Sequence, residues 1–438
     1  MMLYQGRVVI FSTLIAACSG LLFGFDTGII ADTQWQLSRQ FLFSHWQWSL
    51  IVSSMVLGAF AGAICSGHFT ERYGRKTTLK VTALLFIIGT LTTANTHHFI
   101  TLFSGRFLLG ISIGISAYCA PLFIAEIAEY HKRGRMVLIN NVAITGGEAL
   151  AFLTGYLLQD ISDNSWRWMF LLGLIPAFVL WWGLKYVPQS PRWLLKNNQE
   201  AQAFNVLKSI RNHSHDKVMT EFQLIKNNLQ TNQSVALFAK PYQSRVVIGT
   251  VLGILQQTCG INVIMYYGPF LFKSSGFNEA QAMLATFIMG LLNTICTIFA
   301  MMMVDRWGRR QLLMLGSIVC ALALFGLANF QTPTSLNQWL SFACVFIYTM
   351  AFAIGLGSMF WLLISELYPI AIRAKAMSFT SSIQWLANFT VSLSFLPLYD
   401  AIGRRATLMM LCFSCLVSVF FTYFFVPETK GLALEEIS

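Results

Sequence analysis

Charge is what this sequence has least of. Only 11% of its 438 residues are Asp, Glu, Lys or Arg, 56% are hydrophobic, and the mean hydropathy is +0.61. A soluble domain carries about 25% charged residues, so a water-soluble core is excluded and the chain is read as an all-α polytopic membrane protein. It has no GxxxxGK[ST] loop and no nucleophile–base pairing in a soluble domain, so no enzyme, catalytic residue or cofactor is expected. None of the nine cysteines forms a metal-type CxxC pattern, and all fall in or beside apolar runs. Buried cysteine behaves as a small hydrophobe, so neither a metal site nor a disulfide is expected. A cleavable signal peptide is not expected either, because the first apolar run is too long and lacks a small-residue cleavage site.

What is present is a series of long apolar runs. A crossing helix needs about 20 such residues, and twelve spans are expected: 8–31, 49–69, 78–97, 100–124, 137–159, 168–187, 246–270, 280–304, 311–330, 338–364, 374–397 and 406–426. The net charge of +11 is not a nucleic-acid footprint, because most Lys and Arg residues lie in alternate loops and the tails. That is the positive-inside pattern, and it places both termini in the cytoplasm. Arg404 and Arg405 break the pattern on the opposite side.

The chain also echoes itself. "GHFTERYGRK" (Gly67–Lys76) follows span two, and "VDRWGRR" (Val304–Arg310) follows span eight. After span four, Glu126 precedes Arg133 by seven residues; after span ten, Glu366 precedes Arg373 by seven. Spans one to six (residues 1–187) and seven to twelve (246–438) are therefore read as two six-helix repeats joined by a polar, helix-forming cytoplasmic linker, 188–245. Such repeats are a transporter architecture with the substrate near the midplane between them. Topology alone needs only Lys and Arg, whereas here acids repeat with the bases. Glu71, Arg72, Arg75, Glu126, Arg133, Asp305, Arg306, Arg309, Glu366 and Arg373 are therefore read as a cytoplasmic gate.

Further motifs give the resemblance. "GRFLLGISIG" (Gly105–Gly114), "PLFIAEIAEYHKRGR", "VPQSPRWL" (Val187–Leu194), "QQTCGINVIMYYGP" (Gln256–Pro269) and "VPETKG" (Val426–Gly431) stand in order along nearly the whole chain. With these the chain resembles the sugar porter family of the major facilitator superfamily. Gln189 stands where that family usually has Glu, Ser358 where it has proline before a tryptophan, and Asn141 and Glu148 where it has glutamines.

Asp26 is the one charge between Val8 and Ala31. A carboxylate in hydrocarbon costs roughly 2.5–3.5 kcal/mol on insertion scales, so it needs a partner, and Arg106 in span four is the candidate. Their separation and approach would change the proton affinity of Asp26, a chemistry suited to proton coupling. The resemblance implies the same, since Asp marks proton-coupled members of the family.

A polyhydroxylated substrate needs neutral donors and acceptors with flat apolar faces. Gln256, Gln257 and Asn262 of span seven are candidates, although Gln256 and Asn262 point about 120° apart on a straight helix. Gly260 between them permits unwinding. The resemblance adds Tyr266, Asn293, Trp361 and Gln384, and Asn388 lies one turn beyond Gln384. Asn141 and Glu148 share a face of span five, and "IN…ITGGE" is similar to the run in proton–inositol symporters. The expected solute is a neutral sugar or cyclitol, myo-inositol first and hexose or pentose second, imported with protons by a single copy of the chain in the plasma membrane. A passive facilitator or a non-transporting sugar sensor is the alternative.

Overall fold

The structure is a computed structural model, and it describes residues 2–129, 133–211, 215–231, 236–330, 334–369 and 372–430. Among these residues every regular element is helical. The first half comprises α1 (Met2–Phe41), α2 (His45–Tyr73), α3 (Arg75–Ala94), α4 (Phe99–Ile127) and α5 (Arg133–Leu158), with a sixth crossing in two pieces, α6 (Ser165–Leu171) and α7 (Leu174–Gly183). The linker carries α8 (Pro191–Lys196), α9 (Glu200–Ile210) and α10 (His215–Thr231). In the second half α11 (Gln243–Thr258), α12 (Ile261–Tyr266) and α13 (Gly268–Ser274) form one broken crossing. It continues with α14 (Glu279–Trp307), α15 (Arg309–Asn329), and α16 (Ser335–Phe352), which runs through a π-helical segment (Ala353–Gly357) into α17 (Ser358–Leu367). The last helix is α18 (Arg373–Phe425).

By length and apolarity 11 helices among the described residues can cross a membrane, where twelve separate spans are expected from hydropathy. The difference lies in α18, which joins spans eleven and twelve without a loop. Gly403 inside it has φ 82° and ψ 162°. Both ends of α18 lie on the face that carries the linker. Arg373 donates to the Tyr368 carbonyl at one end, and Glu428, three residues beyond the other end, accepts from the Arg309 backbone N–H. The chain therefore reverses at Gly403, and α18 makes two crossings.

Lipid supplies no hydrophobic drive between helices, so close backbone approach through small residues does the packing. The α2–α4 seam is built this way. A Cβ on Gly58 would fall 2.2 Å from the Phe107 carbonyl oxygen, and one on Gly110 would fall 2.0 Å from that of Met55. The same pattern recurs one turn on, at Gly62 and Gly114.

The halves share local devices as well. Ser44 with Gln47 closes a capping box at the start of α2, and Asn278 with Gln281 does so for α14. The linker is fastened to the first half. Arg211 donates to the Ile127 carbonyl at 2.6 Å, to that of Ala128 at 3.2 Å, and to Glu221. Lys196 on α8 pairs with Glu71 at the end of α2. The two halves meet where α2 packs on α18 and α5 on α14.

Candidate functional site

In α1 and α4, Arg106 Nη1 lies 2.6 Å from Asp26 Oδ1, and the side chains are 0% and 2% exposed. The second Asp26 oxygen, and Nε and Nη2 of Arg106, have no hydrogen-bond partner. A buried ion pair offsets its desolvation only with good geometry and further hydrogen bonds. This one has a single short contact and spare bonding capacity on both sides. Neither side chain lines the cavity between the halves, but Thr27, the next residue on α1, does.

That cavity has a volume of about 170 Å³. A larger groove, about 400 Å³, lies on the flank of α2, α3 and α4, lined mainly by apolar side chains such as Phe69, Val81 and Leu85 on the outer surface of the bundle. The central cavity is polar where two helices break. Gly260 is left-handed, at φ 92°, a conformation glycine adopts without steric cost. This break brings Asn262 Nδ2 to 2.6 Å from Gln257 Oε1, removing the mismatch of a straight helix.

The second break is the π-helical segment. Gln256 Nε2 donates to the Leu356 carbonyl at 3.2 Å, and Ser358 Oγ donates to that of Ala353 at 2.7 Å. Serine thus satisfies a carbonyl of the wide turn, which explains how the helix breaks without a proline. Gln384 Nε2 donates to Gln256 Oε1 at 2.5 Å, and Asn388 Oδ1 accepts from Ser392 at 3.0 Å. Across the cavity Asn293 Nδ2 donates to Glu148 Oε2 at 3.2 Å, joining α14 to α5.

Asn141, Glu148, Gln256, Gln257, Asn262, Asn293, Trp361, Gln384 and Asn388 all line this cavity. Tyr266 does not, and its placement there is corrected. The short helix α12 presents Ile261, Asn262 and Met265 to the cavity, and Tyr266, the next position round, is 1% exposed. Sequence reasoning missed Thr145 and Thr297, each four residues from a predicted lining position, a spacing that would have found them. It also missed Phe23 and Trp385, whose rings face each other between the halves at 5.5 Å. Asp32 was missed too. It is 0% exposed, neither carboxylate oxygen has a hydrogen-bond partner, and it abuts Gly155 of α5.

The paired turns on the linker face bind within their own halves. Arg75 chelates Glu126 at 2.7 and 2.8 Å, and Arg309 chelates Glu366 at 3.0 and 3.2 Å. Arg72 is exposed over the Tyr73 ring, and the Arg306 carbonyl accepts from Lys430. The side chains of Arg133 and Asp305 lie outside the described residues. Gln189 and Glu428 occupy matching places: Gln189 accepts from the Lys76 N–H, and Glu428 from those of Arg309 and Arg310. An amide can therefore replace the family's carboxylate as a helix cap.

Two contacts between titratable side chains join the halves on the opposite face. Arg39 pairs with Glu279 at 2.6 Å and His45 with Asp400 at 2.8 Å.

The profile of the family described as "Sugar (and other) transporter" matches residues 12–438. The chain belongs to the sugar porter family of the major facilitator superfamily. This sugar porter is 34% identical over 449 residues to the galactose–proton symporter of Escherichia coli K12, covering 99% of the chain and 95% of that protein. It is also 34% identical to a probable metabolite transport protein, CsbC, of Bacillus subtilis, covering 96% and 92%. Among solved structures, the partially occluded inward-open xylose transporter XylE from E. coli superposes with a TM-score of 0.86 at 30% identity, covering 98% of this chain and 100% of that one. The proton:xylose symporter XylE bound to 6-bromo-6-deoxy-D-glucose gives 0.84, also at 30% identity, covering 99% of each. The porter is thus a multi-pass membrane protein of a transporter family and not an enzyme.

Proposed function

We propose that the chain is a proton-coupled symporter that imports a neutral, monosaccharide-sized polyol by alternating access across the plasma membrane. In this reading the linker and both termini are cytoplasmic, as the positive-inside distribution of Lys and Arg supports. The observation that carries the reading is the buried Asp26–Arg106 contact beside, but not in, an amide-lined cavity. Protonating Asp26 removes the charge that Arg106 balances, and the freed guanidinium must find other acceptors. Rearrangement of α1 against α4 would then be tied to proton uptake. The chelated pairs Arg75–Glu126 and Arg309–Glu366 fix the cytoplasmic helix ends within each half, so that each half moves as a body during gating.

Gln256, Gln257, Asn262, Asn293, Gln384 and Asn388 supply neutral donors and acceptors for hydroxyls, and Trp361 a flat face for C–H surfaces. Glu148 adds an acceptor that needs no ring oxygen in the ligand, which favours myo-inositol. Relatives named for galactose, xylose, arabinose and glucose support hexoses or pentoses as the second reading.

The test is uptake by purified protein in liposomes carrying an imposed pH gradient, with a panel of cyclitols and monosaccharides. Accumulation abolished by a protonophore supports symport; equal uptake with and without it would identify a passive facilitator.

A further inference from the structure

The turn motif of the cytoplasmic face occurs a third time. Glu71-Arg-Tyr-Gly74-Arg75-Lys76 and Asp305-Arg-Trp-Gly308-Arg309-Arg310 are matched by Asp400-Ala-Ile-Gly403-Arg404-Arg405 on the opposite face. The backbone repeats with the sequence. Gly74 has φ 81° and ψ 161°, Gly308 85° and 159°, and Gly403 82° and 162°. In each copy the glycine reverses the chain directly from one helix into the next. The pair Arg404–Arg405, anomalous for charge topology, belongs to this third copy.

The partners differ in an informative way. Arg75 and Arg309 each grip a glutamate of their own half. Arg404 instead reaches the end of α13, donating to the Ser274 carbonyl at 3.1 Å and to Ser275 Oγ at 2.9 Å. Asp400 crosses to the other half, its two oxygens lying 3.0 and 2.8 Å from His45 Nδ1 at the start of α2.

The same end of α13 is held from the first half as well, where Lys273 lies 5.0 Å over the Trp35 ring and pairs with Glu279, which Arg39 also binds. The two cytoplasmic glycines are boxed in: a Cβ would meet Gln189 at 2.4 Å or Glu428 at 2.6 Å. At Gly403 nothing lies within 4 Å. The third turn therefore has no local clamp of that kind, and the side chains of Asp400 and Arg404 are its ties.

We propose that the turn Asp400–Arg405 is the extracellular latch of the transporter, a third use of the gate turn. Asp400 ties α18 to α2 of the first half, and Arg404 holds the outer piece of the broken crossing, α13, in its closed position. Arg404, Asp400 and His45 are positioning residues of the transport cycle rather than substrate contacts. With the latch engaged the cavity is shut on this face. Opening to the outside requires the His45–Asp400 contact to part and α13 to leave Arg404.

This inference rests on the alternating-access reading. Its test reads accessibility, which needs no knowledge of the solute, so failure of the latch is separable from a wrong substrate or from absent proton coupling. Ser49 lies one turn below His45 and is 0% exposed, so Ser49→Cys in the full-length chain reports opening of this face. Labelling by a membrane-impermeant maleimide is measured in excess of the parent chain. His45→Ala and Arg404→Gln should each raise the labelling rate roughly two- to tenfold, the range for loss of a side-chain hydrogen bond. His45→Asp combined with Asp400→His should restore the slow rate. Arg405→Gln, at an exposed neighbour in the same turn, should not raise it.

His45→Ala leaves the turn intact, so it keeps the test decisive if turn variants fold poorly. Unchanged labelling in His45→Ala, or equal acceleration by Arg405→Gln, would reduce the turn to a simple connector.

Discussion

Arg106 reaches Asp26 across 80 residues of chain and touches it through one nitrogen at 2.6 Å, with both side chains sealed from solvent. The contact is close enough to be a full ion pair, yet it leaves Nε, Nη2 and Asp26 Oδ2 without hydrogen-bond partners. A well-buried structural pair would satisfy those groups. A pair that must be made and broken in each cycle has reason not to.

Asp26→Asn should therefore abolish accumulation against a gradient while leaving solute binding and counterflow exchange largely intact. Arg106→Ala should also lose coupled uptake, because it strands a buried carboxylate. Both are read in liposomes with a pH gradient. An Asp26→Asn variant that still concentrates solute would move the proton site elsewhere, and Asp32 would be the next carboxylate to examine.

Glu148→Gln tests the acceptor on α5. A hydrogen bond to a charged group contributes about 1.5–3 kcal/mol, so the substitution should weaken solute binding by that order without unfolding the protein. Titration calorimetry between about pH 5 and 8, a window that starts above the ordinary carboxylate value, is the measurement. Equal affinities at every pH would leave Glu148 as a structural partner of Asn293 alone.

The two chelated pairs on the linker face should differ in weight. Arg75 and Glu126 are 7% exposed each, whereas Arg309 and Glu366 are 12% and 18%. Removing one partner of a buried pair costs about 3–5 kcal/mol. Arg75→Ala should lower the thermal unfolding midpoint of the purified protein more than Arg309→Ala does. The reverse order would show that burial is not what sets their contribution.

The small-residue seam between α2 and α4 should tolerate no side chain. Gly110→Leu must push against the Met55 carbonyl, with a Cβ that would fall 2.0 Å away, and overpacking of this kind costs about 1–3 kcal/mol or more. Loss of folded protein is expected by size-exclusion chromatography. Gly146→Ala is the control, because a Cβ there meets nothing within 4 Å; it should behave as the parent chain.

Much of this protein is determined by its sequence alone. Hydropathy sets the crossings, because each must bury its backbone in apolar side chains for the width of a bilayer. Charge placement and the repeated turns point to two halves and a linker. Nine of the ten proposed substrate contacts line one cavity; Gln256, Gln257 and Asn262 stood out as amides in an apolar crossing, whereas Asn293, Trp361 and Gln384 came from the family resemblance.

Tertiary structure decided the rest. Tyr266 left the cavity because α12 is a separate short helix whose facing follows from the left-handed Gly260, not from a continuous crossing. Spans eleven and twelve meet without a loop because Gly403 turns the chain in a backbone conformation open to glycine, as Gly74 and Gly308 do between their helices, and no hydropathy plot reports φ. The partners of Asp400 and Arg404 come from α2 and α13, 355 and about 130 residues away in sequence. Which side chains meet over such distances is set by how the helices pack within and between the halves, and local sequence carries no record of it.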